Sequence, residues 1–167
     1  MGFKKILVAI ARSPEADRVF ETALTLARQE GANLYVFHCL GVGPVTLGPG
    51  ADLYGEGAVN SAQVQQEVIK KEMEDVEKWL HEYRKQARGL GIPAQFEYQI
   101  GDAGWWIREI ASRWGADLVV VGRHGRSSLA EFFLGSVSNH VLHHVKCSVL
   151  VVQGEAESGI ENRESLS

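Results

Sequence analysis

Short apolar runs rich in β-branched residues alternate along the chain with longer segments whose apolar positions recur every three or four residues. The runs predict five β-strands, which cover residues 6–10, 33–39, 94–100, 118–121 and 148–152. The first, fourth and fifth are almost continuously apolar, which is typical of strands that a parallel sheet buries on both faces. The third is indicated by its alternation of polar and apolar residues.

The intervening segments predict four helices, over residues 16–30, 61–88, 103–114 and 136–145. In the third helix, for example, Ile107, Ile110, Ala111 and Trp114 fall on one face. Strands that alternate with helices imply right-handed crossovers between parallel strands. The pattern therefore predicts the α/β class, with an open five-stranded parallel sheet, helices on both of its faces and a Rossmann-like architecture.

The length of 167 residues indicates one α/β domain, which we expect over residues 1–153. Residues 41–60 contain six Gly and two Pro, so we expect a flexible inserted loop there, such as a lid or a binding loop. Residues 153–167 carry four Glu and one Arg, and we expect the acidic tail 154–167 to be disordered.

Charge and composition limit the classes of partner and the cellular compartment that we expect for this protein. The net charge of −4 argues against a nucleic-acid partner, which usually meets a strongly basic face. Cys39 and Cys147 form no C-x-x-C pair and are expected to be reduced thiols. We find no export signal, and no apolar run approaches the roughly 20 residues of a transmembrane helix. We therefore expect a cytoplasmic protein without membrane contact.

The turn after the fourth predicted strand combines glycine with positive charge. It reads Gly122-Arg123-His124-Gly125-Arg126-Ser127. In doubly wound sheets, ligands bind beyond the carboxyl ends of the strands, where the strand order reverses. Glycine lets the backbone approach a ligand closely, and the basic side chains favour an anion.

A second anion-binding feature opens the last predicted helix, at Gly135-Ser136-Val137-Ser138. We expect Ser136 to be its N-cap, and the unpaired N–H groups there favour negative charge. The glycine-rich turn and this helix start together predict a phosphate cradle. The alternative is two ordinary turns, because a G-x-x-G pair by itself is common.

Rival motifs for other ligands are incomplete. No G-x-x-x-x-G-K-[ST] P-loop occurs, and Gly41-Val42-Gly43 lacks the third glycine of a dinucleotide motif. His140 and His144 have a spacing compatible with one metal ion, but no Cys or carboxylate nearby completes a site, so solvated histidines are favoured. For His38 we expect a buried core position or a dimer-facing one.

The candidate nucleophiles lack partners for catalysis. Ser13 and Ser136 are the hydroxyls near the expected pocket, and the sequence fixes no base beside either. The G-x-S-x-G motif is absent. Trp105 and Trp106 are neighbours on one helix and cannot both face the sheet, so one of them is a candidate for a pocket rim or a partner.

The glycine pattern Gly122-x2-Gly125-x9-Gly135-Ser136 resembles the nucleotide-binding signature of the universal stress protein family. The resemblance extends over about residues 3–153, including the first strand Lys5-Ile6-Leu7-Val8-Ala9-Ile10. It implies an α/β fold of the adenine-nucleotide α-hydrolase type and binding of ATP or AMP, with Mg²⁺ as the counterion of the nucleotide. It also implies homodimers paired through the last strand, Ser148–Val152.

Position by position, the resemblance implies a set of binding residues. On the phosphate and ribose side it implies Gly122, His124, Gly125, Gly135, Ser136, Val137 and Ser138. Near the adenine and at the strand ends it implies Cys39, Ala9, Ala11, Arg12, Val121 and Arg123. Two positions depart from the family pattern: Asp is common where this chain has Ala11, and a small residue is usual at Arg123. The loss of one hydrogen bond at Ala11 would cost about 0.5–1.5 kcal/mol, or up to about tenfold in affinity.

Three functions are compatible with these residues. The leading hypothesis is a homodimeric cytosolic module of stress response or signalling that binds ATP or AMP. The first alternative is a slow ATPase or self-phosphorylating protein, in which Ser127, Ser128 or Ser136 would be the acceptor. The second is an interaction protein that binds no nucleotide, which the alanine at position 11 motivates.

Overall fold

The computed structural model describes residues 2–41, 56–123 and 134–154. Strands and helices alternate strictly along these residues. Their order is β1 (Lys5–Ala9), α1 (Ala16–Glu30), β2 (Asn33–Leu40), α2 (Glu56–Gly89), β3 (Ala94–Ile100), α3 (Ala103–Trp114), β4 (Leu118–Gly122), α4 (Ser136–His144) and β5 (Ser148–Val152).

The five strands form one parallel sheet in the order β3-β2-β1-β4-β5. In the centre, Leu7 of β1 is in register with Tyr35 of β2 and with Val119 of β4. β2 and β3 are added in sequence on one side of β1, and α3 then connects β3 to β4 on the other side of β1. The strand order therefore reverses between β1 and β4, and the predicted fold class is confirmed.

Both faces of the sheet are covered because successive β1 side chains point to opposite sides. Val8 packs in the apolar layer under α1 and α2, which also contains Phe20 and Val76. Leu7 packs in the opposite layer under α3 and α4, with Ile110. All five side chains are fully buried, so this double layer is the core that fixes the strand ends in place.

The start of α2 differs from the sequence prediction. The helix begins at Glu56, not at residue 61, so the last five residues of the predicted loop 41–60 are helical. The prediction relied on the glycine content of residues 41–60, but a single glycine such as Gly57 costs a helix only about 1 kcal/mol and does not end it. Residues 42–55, the rest of that loop, lie outside the described residues, as does the predicted acidic tail beyond Gly154. Among the described helices, none is long and apolar enough to span a bilayer.

Candidate functional site

A cavity of about 400 Å³ lies beyond the carboxyl ends of β1, β2 and β4, at the point where the strand order reverses. The amino-terminal ends of α1, α3 and α4 complete its wall. Nine of the residues predicted for the site line this cavity: Ala9, Ala11, Cys39, Val121, Gly122, Gly135, Ser136, Val137 and Ser138.

Small side chains at the end of β1 leave room for the cavity. Ala9 is in register with Phe37 on β2 and with Val121 on β4, so a methyl group stands between two larger apolar neighbours. Ala11 follows two residues later and also lines the cavity. Together with Ile107 of α3, these side chains form an apolar wall that suits a flat hydrophobic group.

Backbone hydrogen bonds hold the two ends of the glycine motif together. The Gly135 N–H donates to the Arg123 carbonyl (2.8 Å), and the Arg123 N–H donates to the Val152 carbonyl of β5 (2.9 Å). The Ser138 hydroxyl donates to the Gly122 carbonyl, and Ser138 itself is buried. The start of α4 is thereby fixed against the end of β4.

The predicted cap of α4 is wrong. Gly135 is the N-cap, with the extended angles φ −57° and ψ 154°, and Ser136 is the first helical residue. No side chain of the described residues caps this helix end. The N–H groups of a first helical turn have no partner within their helix, and here their residues line the cavity. Glycine therefore leaves the helix end available to an anion.

The β2 side of the cavity contains a thiol and a buried imidazole. The Cys39 thiol donates to the Gly101 carbonyl (3.3 Å), and burial, followed by the charge of Asp102, raises the pKa of this thiol. His38 is 2% exposed, with Nδ1 2.8 Å from the Ile10 carbonyl oxygen. The expected buried position of His38 is confirmed, and this residue also lines the cavity, which the sequence did not predict.

Glu15 is a charged residue of this wall that the sequence did not predict. It lies immediately before α1, and it lines the cavity next to Ser13. Its Oε2 atom is buried and has no hydrogen-bond partner in the described part of the chain. A carboxylate six residues beyond the end of β1, at a helix start, is the pattern that points to it.

The predicted basic residues lie elsewhere or outside the described residues. The guanidinium of Arg12 lies 6.0 Å from the ring centroid of Trp79 on α2 and is not on the cavity wall. Arg123 Nη1 donates to Oε1 of Gln153 (3.4 Å). His124 and Gly125 fall within residues 124–133, which the structure does not describe. In residues 2–41, 56–123 and 134–154, the cavity wall therefore includes no Lys or Arg.

The remaining candidates, two histidines and two tryptophans, do not line the cavity. His140 and His144 stack with ring centroids 4.0 Å apart, and no group of three metal-ligating side chains occurs in the described ranges. Trp106 donates its indole N–H to the Ile100 carbonyl (3.2 Å), whereas Trp105 is 44% exposed. Of the two tryptophans, Trp105 is therefore the one that faces outward.

A family model described as universal stress protein family matches residues 2–153. This chain belongs to the universal stress protein family. Universal stress protein Sll1388 of Synechocystis sp. is 42% identical over 153 residues, which cover 92% of this chain and 99% of that protein. The family assignment agrees with the cavity, because Gly122, Gly135 and Ser136 of the glycine pattern that suggested the family line it.

Solved structures of other universal stress proteins share the fold. The protein UspA from Lactobacillus plantarum has a TM-score of 0.71 at 22% identity, over 91% of this chain and 99% of that one. A universal stress protein in complex with cAMP has a TM-score of 0.62 at 22% identity, with coverages of 91% and 98%. A universal stress protein from Archaeoglobus fulgidus in complex with dAMP has a TM-score of 0.56 at 21% identity, with coverages of 90% and 98%.

Proposed function

We propose that the cavity binds an adenine nucleotide, ATP or AMP, and that the protein is a cytoplasmic, homodimeric binding module of stress response or signalling. One observation carries the proposal. At the reversal point of the strand order, an uncapped helix start and an apolar strand-end wall line the same cavity. A nucleotide uses both surfaces, because its anionic phosphates suit the helix start and its flat base suits the apolar wall.

The two surfaces divide the ligand between them. The phosphates take the start of α4, where the N–H groups of Ser136, Val137 and Ser138 and the helix dipole favour negative charge. The base takes the apolar wall around Ala9 and Val121. Mg²⁺ would accompany ATP on its phosphate oxygens, as is usual for this ion. The relatives in complex with cAMP and dAMP support an adenine base in this family fold.

The absence of a carboxylate at position 11 weakens the proposed site without removing it. Ala11 contributes space where a carboxylate would contribute a hydrogen bond. The anion half of the site does not depend on this position. We therefore expect nucleotide binding to persist, with an affinity up to about tenfold lower than with that hydrogen bond.

The homodimer is proposed from the position of β5. Ser148–Val152 pairs with β4 and lies at the end of the sheet order. Val149, Leu150 and Val151 are each partly exposed on this edge. An apolar edge strand presents unpaired backbone N–H and C=O groups that can pair with another chain. Pairing with the β5 strand of a second copy would give both strands hydrogen-bond partners.

Native mass spectrometry of the freshly purified protein tests the proposed ligand. We expect a mass excess that matches AMP or ATP, and we expect tandem dissociation to release adenine. A protein without bound nucleotide that also binds none on addition of millimolar ATP or AMP would support the interaction protein instead. Turnover of radiolabelled ATP above the rate of Gly122→Val would support the slow ATPase.

A further inference from the structure

A groove of about 640 Å³ lies between α2 and β3, and β3 is an end strand of the sheet order. Leu80 of α2 and Phe96 and Tyr98 of β3 are among the residues that line it. The wall of this groove shares no residue with the wall of the cavity at the strand ends. The groove is therefore a separate place at which a partner could bind.

The backbone of β3 has hydrogen-bonding groups that no other strand uses. The Leu34 N–H of β2 donates to the Pro93 carbonyl (2.9 Å), so residue 93 directs its carbonyl to β2. Alternate residues of a strand direct their backbone groups to the same side. The N–H and C=O groups of Phe96 and Tyr98 therefore point away from β2, to a side on which no other described strand lies. The same two residues thus form the free edge and line the groove.

β3 also lacks the features that usually prevent pairing at a sheet edge, which are charged side chains, proline and bulges. Its seven residues pair one to one with β2 and include no proline. Glu97 is the one charged residue of the strand, and it accepts from the Tyr35 hydroxyl, so its carboxylate is directed toward β2 and away from the free edge. An extended chain can therefore add to this edge as a further strand.

The carboxylates of the groove already have partners. Glu82 pairs with Lys85, with Oε1 3.0 Å from Nζ. Glu77 accepts from the Tyr98 hydroxyl (3.2 Å). Glu97 is engaged by Tyr35, as described above. A cationic chain in the groove would have to compete with these partners.

The cations of the groove have no carboxylate partner. Lys78 and Arg84 are exposed, and neither forms an ion pair in the part of the chain that the structure describes. The guanidinium of Arg84 lies 5.3 Å from the ring centroid of Phe96, which holds this charge over β3. His81 of α2 adds an imidazole to the same wall. The groove therefore complements acidic side chains.

We propose that this groove binds an extended acidic segment of a partner protein, which adds to β3 as a further strand. Alternate side chains of such a strand point to the α2 face of the sheet, on which Phe96 and Tyr98 pack. Glu or Asp at every second position would therefore meet Lys78 and Arg84. A second copy of this chain is a poorer occupant, because a two-fold contact would bring the same cations together. β3 and β5 are at opposite ends of the sheet order, so the proposed dimer leaves the groove open.

Fluorescence anisotropy with a dye-labelled peptide of alternating Thr and Glu, as long as β3, tests the charge preference. We expect saturable binding of this peptide and none of the peptide in which Lys replaces each Glu. The double substitution Lys78→Glu/Arg84→Glu should weaken the binding about tenfold or more, because it replaces attraction by repulsion. The control Arg28→Glu/Lys71→Glu makes the same change of net charge at exposed residues outside the groove. Because salt screens distant charges, the affinity of this control should stay within about twofold of the wild-type value.

Amide hydrogen exchange followed by NMR tests the strand pairing. With saturating Thr-Glu peptide, the N–H groups of Phe96 and Tyr98 should exchange about tenfold or more slowly. Those of Gln95 and Glu97, which point to β2, should change little. Backbone methylation of the peptide is a second test, with one peptide methylated at the Thr nitrogens and another at the Glu nitrogens. One of the two should lose binding and the other should retain it, because only one set of N–H groups faces β3.

Each other result overturns the proposal. One such result is that the Thr-Glu peptide does not bind, or binds as the Lys peptide does. Equal binding to the wild-type protein and to a folded Lys78→Glu/Arg84→Glu variant, as judged by its melting temperature, would show that these cations are not the contact. Binding without protection of Phe96 and Tyr98 would place the peptide elsewhere. Protection of these two amides without peptide, together with a mass above that of a dimer, would make a second copy the occupant.

Discussion

At the residue scale, the contact between α3 and α4 depends on a glycine. A Cβ atom on Gly104 would lie 2.7 Å from Cδ2 and 3.2 Å from Cβ of His140, which is too close for either helix to keep its position. We predict that Gly104→Ala lowers the free energy of unfolding by about 1–3 kcal/mol through overpacking. Urea denaturation of the wild-type protein and of Gly104→Ala measures this difference in the free energy of unfolding.

Gly89→Ala is the control for that substitution. Gly89 ends α2, and a side chain there would meet nothing within 4 Å. Alanine at this position should leave the stability unchanged or raise it by up to about 1 kcal/mol. Equal effects of the two substitutions would show that the contact with His140 is not the cause.

A tyrosine–glutamate pair on the α3 side of the sheet predicts a pH dependence. Tyr35 donates its hydroxyl to Glu97, and burial, followed by this hydrogen bond, raises the pKa of Tyr35 to about 12 from 10.0. Burial raises the pKa of Glu97, but hydrogen bonds from Gln99 and Tyr35 and the charge of Arg113 outweigh it, so the pKa is lowered.

The raised pKa makes folding favour the protonated phenol. The contribution of the protonated Tyr35 hydroxyl to the free energy of unfolding is complete below pH 10, the ordinary pKa of tyrosine. This contribution is lost as the pH rises to about 12. We predict that Tyr35→Phe loses less stability than the wild-type protein between pH 9 and pH 11, measured as the shift of the urea midpoint. An equal or larger loss in the variant would contradict the assignment.

At the scale of elements, the start of α3 depends on a side-chain cap. The Asp102 carboxylate accepts from the Trp105 N–H (2.6 Å), and Ala103 and Ile107 of the first two turns line the cavity. We predict that Asp102→Ala costs about 0.5–2 kcal/mol of stability, measured by thermal or urea unfolding. Asp102→Asn retains an acceptor and should cost less. If both variants match the wild-type protein, the cap contributes nothing.

The elements themselves were largely predictable, because burial imposes a period on the sequence. The bounds Ala94–Ile100 and Ser148–Val152 agree with the prediction, and α1 ends at Glu30 as predicted, followed by Gly31 in the left-handed conformation (φ 62°). The start of α2 and the cap of α4 were not predictable. A glycine stands at each of these helix starts, Gly57 in α2 and Gly135 before α4. Because glycine adopts helical and non-helical conformations with similar ease, its presence does not show where a helix begins.

The site was predictable only in part. The strand ends and the start of α4 follow from the motif, and these residues meet in the cavity. Glu15 and His38 escaped the prediction because no local pattern shows which residues near a strand end or a helix start line the cavity. Arg12 was also predicted for the site but is not on the cavity wall, and its contact with Trp79 joins residues far apart in sequence.

At the scale of the whole molecule, β5 at the end of the sheet order predicts the oligomeric state. Light scattering should give twice the chain mass of 18.4 kDa, because paired β5 strands remove an apolar edge from solvent. A mass of 18.4 kDa at working concentration would contradict the dimer.

The central claim is that the cavity at the reversal of the strand order binds an adenine nucleotide. Calorimetric titration of AMP into wild-type protein and into Gly122→Val tests it most directly, because this substitution adds a branched side chain to a glycine that lines the cavity. Gly89→Val, at the far end of α2, is the control. We predict saturable binding to the wild-type and control proteins and none to Gly122→Val at the same melting temperature. No binding to wild-type protein at millimolar AMP, or equal binding to Gly122→Val, would contradict the account.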